Sequence, residues 1–252
     1  MRQNRCFACM IFVPLFLLSV VSTGLCGLVM LDADGSRTLV SQGVLKSIPA
    51  DSDEEQMIFD LKKETILVIN KQERKAFQGT VDEYCELMQN MRSMMAQGMQ
   101  HMSDGSMSDM SDTSYPNQSG EKTVRVESLG SGEEISGYAT EKYAVYVNDE
   151  LAEEVWTSRD EELLEELGDA DVMIRFMACA SQMMGGNSVE SDPEYKKMLK
   201  SGWMLKSIEH EEGYAEIIVE VRSIEQRDIS SSEFEIPSGY TRMSLGRLFG
   251  ME

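Results

Sequence analysis

The chain has 252 residues and carries 44 acids against 23 lysines and arginines, for a formal charge of -21. Such a surface repels nucleic acid and anionic lipid headgroups, whose binding needs basic clusters that this sequence lacks. Partners are therefore expected to be neutral, apolar or cationic.

The opening stretch, "MRQNRCFACMIFVPLFLLSVVSTGLCG", places two arginines before an apolar run from Cys6 to Val21, then small and polar residues. That is the layout of a secretory signal peptide, and its apolar core is too short for a comfortable membrane span. Residues 1–26 are expected to be the leader, cut after Gly24 or Cys26, with 27–252 exported to the periplasm or beyond. Lipid attachment at Cys26 is disfavoured, because Leu25 is the wrong residue to precede such a cysteine. Of five cysteines, Cys85 and Cys179 stay in the mature chain. In an oxidising compartment they are a disulfide candidate, with two buried free thiols as the alternative.

From Gly27 to Thr80 short apolar runs alternate with turns: "LVMLDA", "RTLVSQGVLKSIP", "QMIFDL", "TILVIN" and "KAFQGT". Asp34-Gly35 is a hairpin signal, since glycine takes positive φ without steric cost. Strands joined so briefly must run antiparallel, because a parallel crossover needs a dozen residues or more. Thr80 and Glu83 then form a capping box that opens a helix. Around that helix, Val81, Tyr84, Met88, Met91, Met95, Met99 and Met102 fall within an arc of roughly 80°. Met94 and His101 lie off the stripe. Residues 103 to 122 are rich in Ser, Asp and Met and lack both a period and calcium-loop spacing, so a mobile loop is expected there.

Strand signals return in "KTVRVESL", "ISGYATEKYAVYV" and "ELAEEVWTS", with Asn148-Asp149 as a tight turn. Ser158 and Glu161 repeat the capping box, and Gly168 ends a short acidic helix. A helix over 170–184 follows, with Val172, Phe176, Cys179 and Met183 on one side and Met173, Met177 and Ala180 beside them. Asp192-Pro193 opens another helix that closes at Gly202. The strands "GWMLKSIEH" and "YAEIIVEVRSIEQRDIS" precede a tail, "SEFEIPSGYTRMSL". The fold class expected is α+β: a single domain with a curved, half-barrel-like antiparallel sheet and helices packed on one face.

No catalytic motif is present: no GxSxG elbow, no HExxH, no phosphate loop and no zinc spacing. A non-enzymatic role is expected. Two readings of the methionines compete. In the first, an apolar small molecule or a partner's hydrophobic segment lies between sheet and helices, against Tyr84, Met88, Met91, Met95, Phe176 and Met183. In the second, Met95, Met99 and Met102 supply soft thioethers to copper(I), the one cofactor considered. A purely structural role is the third.

The stretches "QGTVDEYCELM" (78–88), "ISGYATEKYAVYVNDELAEEVW" (135–156) and "FEIPSGYTRMSL" (234–245) resemble an exported bacterial family designated domain-of-unknown-function family 4412. Their order matches: a Gly-Thr entry to a helix with an early cysteine and Met-rich continuation, an "SGYxTEKY" strand, an "EVW" strand and a closing "PxGY". The resemblance implies an exported protein of unassigned activity. More loosely, the layout is similar to periplasmic lipoprotein carriers, whose half-barrel sheet and helices enclose an apolar cavity. That likeness transfers no functional residue.

Overall fold

The computed structural model describes residues 25–103, 122–168, 170–182, 189–211 and 214–250; the side chains of 25–26, 96–103 and 182 are not among those described. Residues 1–24 of the expected leader and most of the 103–122 loop lie outside these residues, while Leu25 and Cys26 already belong to the first strand. Two antiparallel meanders supply all but one strand of the sheet. The first is β1 (Leu25–Asp32), β2 (Arg37–Ser41), β3 (Val44–Ile48), β4 (Glu55–Asp60), β5 (Thr65–Asn70) and β6 (Lys75–Thr80). The second is β7 (Val124–Ser131), β8 (Glu141–Val147), β9 (Glu150–Ser158), β10 (Trp203–Glu211) and β11 (Tyr214–Ile229). Helix α1 (Val81–Ser103) leaves β6, and α2 (Glu161–Leu167), α3 (Ala170–Gln182) and α4 (Pro193–Lys200) lie between β9 and β10. A last strand, β12 (Thr241–Ser244), leads into α5 (Leu245–Leu248).

Pairing of β1 with β11 joins the meanders into one open sheet of twelve strands, ordered β12-β6-β5-β4-β3-β2-β1-β11-β10-β9-β8-β7. Register shifts in the pairings of β1, β7, β8 and β10 interrupt the ladders. Such bulges bend a strand and increase its local twist, and so curve the sheet. The expected α+β class with a curved sheet and helices on one face is what the chain forms. One pair departs from the antiparallel expectation: β12 runs parallel to β6, Thr241 beside Lys75 and Ser244 beside Gln78. It runs this way because the chain crosses the sheet before re-entering it, which a short hairpin cannot do.

That crossing covers the sheet's other face. β11 lies mid-sheet and β12 at its end, so residues 230–240 must pass β1 to β6. Ile48, Ile58, Ile69 and Ala76 are buried on this side, and Phe234 and Ile236 of the crossing segment are half-buried. Lys46 is buried there too, its Nζ 2.9 Å from Glu233 of the strap.

Local chemistry sets the element ends. Thr80 and Glu83 close the capping box in both directions, Thr80 N–H to Glu83 Oε2 at 2.8 Å and Glu83 N–H to Thr80 Oγ1 at 3.1 Å. Asp192 caps α4 with Pro193 in its first turn. Asn148 and Asp149 both take positive φ, 54° and 67°, as a primed hairpin turn requires. The second capping box does not form. Asp160 caps α2 by accepting from Leu163 N–H, while Ser158 is fully buried as the last residue of β9. The strand expected from Ile135 starts only at Glu141; Ile135 and Tyr138 pair with each other across a tight turn.

Cys85 of α1 and Cys179 of α3 are disulfide-bonded, with Cα atoms 5.2 Å apart and a sequence separation of 94. In the chain-entropy picture a loop of that length contributes about 4 to 5 kcal/mol. Replacing both cysteines by alanine is expected to lower stability by about 2 to 5 kcal/mol in denaturant unfolding. An unchanged midpoint would show that helix packing alone holds α1 to α3.

A second buried feature lies under α4. Tyr195 donates its hydroxyl to Glu153 Oε2 at 2.8 Å and Ser207 donates to Oε1 at 2.6 Å. Burial pushes the Glu153 carboxyl above its usual range; the two hydroxyls oppose this, and Glu209 and Glu190 reinforce it. A carboxyl with a raised folded-state value binds its proton more tightly folded than unfolded. It therefore favours the fold at low pH, and that contribution is lost as pH rises from the unfolded value to the folded one. Glu153→Gln keeps the shape and removes the ionisation. Its thermal midpoint is expected to fall less steeply than that of the native chain as pH rises above 4.5. Parallel pH profiles for the two proteins would contradict this assignment.

Candidate ligand cavity

Strand β11 divides its pairing along its length. Tyr214 to Glu220 pairs with β10, and Val221 to Ile229 pairs with β1. The two halves of the sheet therefore part company at Glu220–Val221, and a corner opens on the helix-covered side. Helix α3 lies over it. Ala170, Met173, Ile174 and Met177, at i, i+3, i+4 and i+7, form one helical stripe that faces a cavity of about 280 Å³.

The rest of the wall comes from both meanders. Met30 and Asp32 of β1, Thr38 of β2, Leu45 and Ser47 of β3 and Phe59 of β4 line one side. Leu199, Gly202, Trp203 and Met204, with Val219 and Val221 of β11, line the other. Its volume lies at the small end of the range for small-molecule sites, and its walls are overwhelmingly apolar.

Asp32 is the one ionisable group in that wall. It is half-buried, and Ser36 Oγ donates to its Oδ2 at 3.2 Å. Burial raises its carboxyl above the usual carboxylate range, the Ser36 hydroxyl opposes the rise and Asp34 adds to it.

Those of the ligand-facing residues singled out from sequence that the structure describes lie elsewhere, and none of them lines this cavity. Tyr84 is half-buried against Phe176, ring centroids 4.7 Å apart. Phe176 in turn meets Phe59 edge-on at 4.6 Å; only Phe59 of this aromatic trio reaches the cavity wall. Met88 is buried at 4 % exposure and Met91 is half-buried, so both serve packing. Met95 is 53 % exposed, matching the off-stripe Met94 at 54 %, because α1 outruns the surface it packs on beyond Met91. Met183 lies outside the described residues.

For the copper set, Met95 faces solvent, and the side chains of Met99 and Met102 lie outside those described. Among the described residues no group of three or more His, Cys, Asp or Glu could hold a metal ion. His210 meets Glu154, Nε2 to Oε2 at 3.1 Å, on a face that also carries Lys142.

Sequence reasoning missed Asp32, although a signal was present. In "LVMLD", Leu28, Met30 and Asp32 alternate along a strand and so share a face. A carboxylate in the register of two core residues stands at the margin of the core. Met173 and Met177 had been placed beside the α3 stripe; the curvature of the sheet puts them at its centre.

No curated protein and no solved structure matches the chain. The likeness to lipoprotein carriers therefore rests on the layout of strands and helices alone. Residues 51–240 match the family described as "Domain of unknown function (DUF4412)", a span that holds α3, α4, β10, β11 and the strap but not Asp32. Because that match covers more than half of the chain, the protein belongs to the DUF4412 family.

Proposed function

We propose that this chain is an exported, non-enzymatic protein that holds a small apolar ligand, or the apolar side chain of a partner segment, between α3 and the forked sheet. The observation that carries the reading is the cavity of about 280 Å³ walled by Met, Leu, Ile, Val, Phe and Trp side chains. An apolar cleft keeps hydrocarbon surface in contact with water, so one of this size beside a helix full of adaptable methionines suits an apolar occupant. Export is supported by the leader-like opening sequence and by the Cys85–Cys179 disulfide, which belongs to an oxidising compartment. The cavity favours an organic occupant over copper(I), since a single ion needs only a tight cluster of ligands.

Filling the cavity tests this. Met173→Phe with Met177→Phe adds bulk at two wall positions. Binding of a fluorescent apolar dye is expected to weaken at least tenfold while the melting transition stays cooperative. Equal dye binding by folded native and filled proteins would place the ligand elsewhere or nowhere. Native mass spectrometry of the protein from its own host is expected to show a retained organic molecule and a chain starting at Leu25 or Gly27. A full-length chain carrying nothing would count against both parts of the reading.

A further inference from the structure

We infer that the cavity's ligand is a small apolar monocation, an ammonium group on an apolar body, whose charge sits at the Asp32 carboxylate. This deepens the reading above and rests on the cavity being a ligand site.

Three other sheltered acids of this protein find their compensation within the chain. Glu153, the most deeply buried of them, receives two hydroxyl donors, one on each oxygen. Glu154 has Lys142 and His210, and Glu141 has Arg159. Asp32 has one neutral donor, Ser36, on one oxygen, and no basic side chain pairs with it among the described residues. The charge that bears on its titration is another acid, Asp34, which pushes it further up. A partly desolvated carboxylate without a cation costs free energy unless something compensates it. Here the compensating group has an open place to stand, because Asp32 is part of the cavity wall.

The rest of the wall discriminates further. Trp203 and Phe59 supply aromatic side chains, and Met30, Met173, Met177 and Met204 supply polarisable thioethers. Aromatic and thioether surfaces suit an alkylammonium, which carries its charge on an apolar frame. A fatty acid would bring a second carboxylate against Asp32, and like charges at such a distance repel. A neutral alcohol would gain the apolar contact without the charge. At long range the chain's charge of -21 concentrates cations near its surface.

Isothermal titration with octylammonium, octanol and octanoate compares three head groups on one chain. The native protein is expected to bind octylammonium about ten- to a hundredfold tighter than octanol, as a charge-assisted hydrogen bond in a sheltered site provides. Octanoate is expected to bind weakest. Asp32→Asn should bring the octylammonium-to-octanol ratio close to one, whereas Asp34→Asn, an equal change in net charge on an exposed neighbour, should leave it intact. If the native protein binds octylammonium and octanol equally, the cation assignment fails and the cavity reading survives. If Asp32→Asn keeps the full ratio, the preference comes from the overall field and the assignment again fails. If none of the three binds, the cavity reading itself falls. The comparison of head groups on the native chain decides the question even where a variant does not fold.

Discussion

Strand β11, at sixteen residues, is the longest of the sheet and pairs with β10 along one half and β1 along the other. Its first half completes the ladder of the second meander and its second half completes that of the first. Backbone N–H and C=O groups must find partners wherever water is excluded. The changeover at Glu220–Val221 is thus fixed by where pairing with β10 stops, at Lys206, and pairing with β1 starts, at Asp32, and Ala33 N–H, bonding Glu220 O at 2.8 Å, closes the seam. A sheet joined this way cannot be flat. The inner corner at the seam is too wide for strand side chains to fill, so a helix must lie over it, and that helix is α3.

α3 is held in that position from several sides. The disulfide ties it to α1, whose N-terminus is in turn fixed to β6 by the Thr80–Glu83 box. α2 is seated by backbone and side-chain bonds from Glu166 to the Gln42-Gly43 turn. Gly168, at φ 76°, ends α2 where a side chain would crowd Gly43, 3.0 Å from the place of a Cβ. These anchors hold the α3 backbone over the corner without filling the space beneath it. Val172 and Phe176 pack into the main core and Ile174 into the second, and Met173 and Met177 lean over the gap between the two.

The architecture was largely legible because it follows local rules. Alternation, turn residues and capping boxes operate within a few residues, and they correctly placed both meanders, α1 and α4. The misreadings share one physical origin. Ser158, Ile135 and Met95 each obey a local rule that a tertiary contact overrides. Ser158 is drawn into β9, Ile135 into the core beside Trp156, and Met95 is left behind where α1 outruns its packing surface. The strap and the parallel β12 were illegible for a related reason, since nothing within residues 230–240 records which strands they cross. The cavity stood furthest from view. It is made by the difference between two strand directions, and its wall draws on residues as distant as Met30 and Val221.

Polar groups in apolar surroundings distinguish the two halves of this protein. Beneath α4, the Glu153 carboxylate is compensated by Tyr195 and Ser207, which belong to the two elements flanking it, so that site is complete in itself. Beneath α3, Asp32 sits in the same kind of environment with half the compensation and an open space in front of it. Both carboxyls are pushed upward chiefly by burial, and the contrast lies in what surrounds them. A site closed by its own hydroxyls stabilises or strains the fold according to pH, and has nothing left to offer a ligand. A site left half-closed, next to methionines that can shift to admit a guest, keeps its remaining acceptor for that guest.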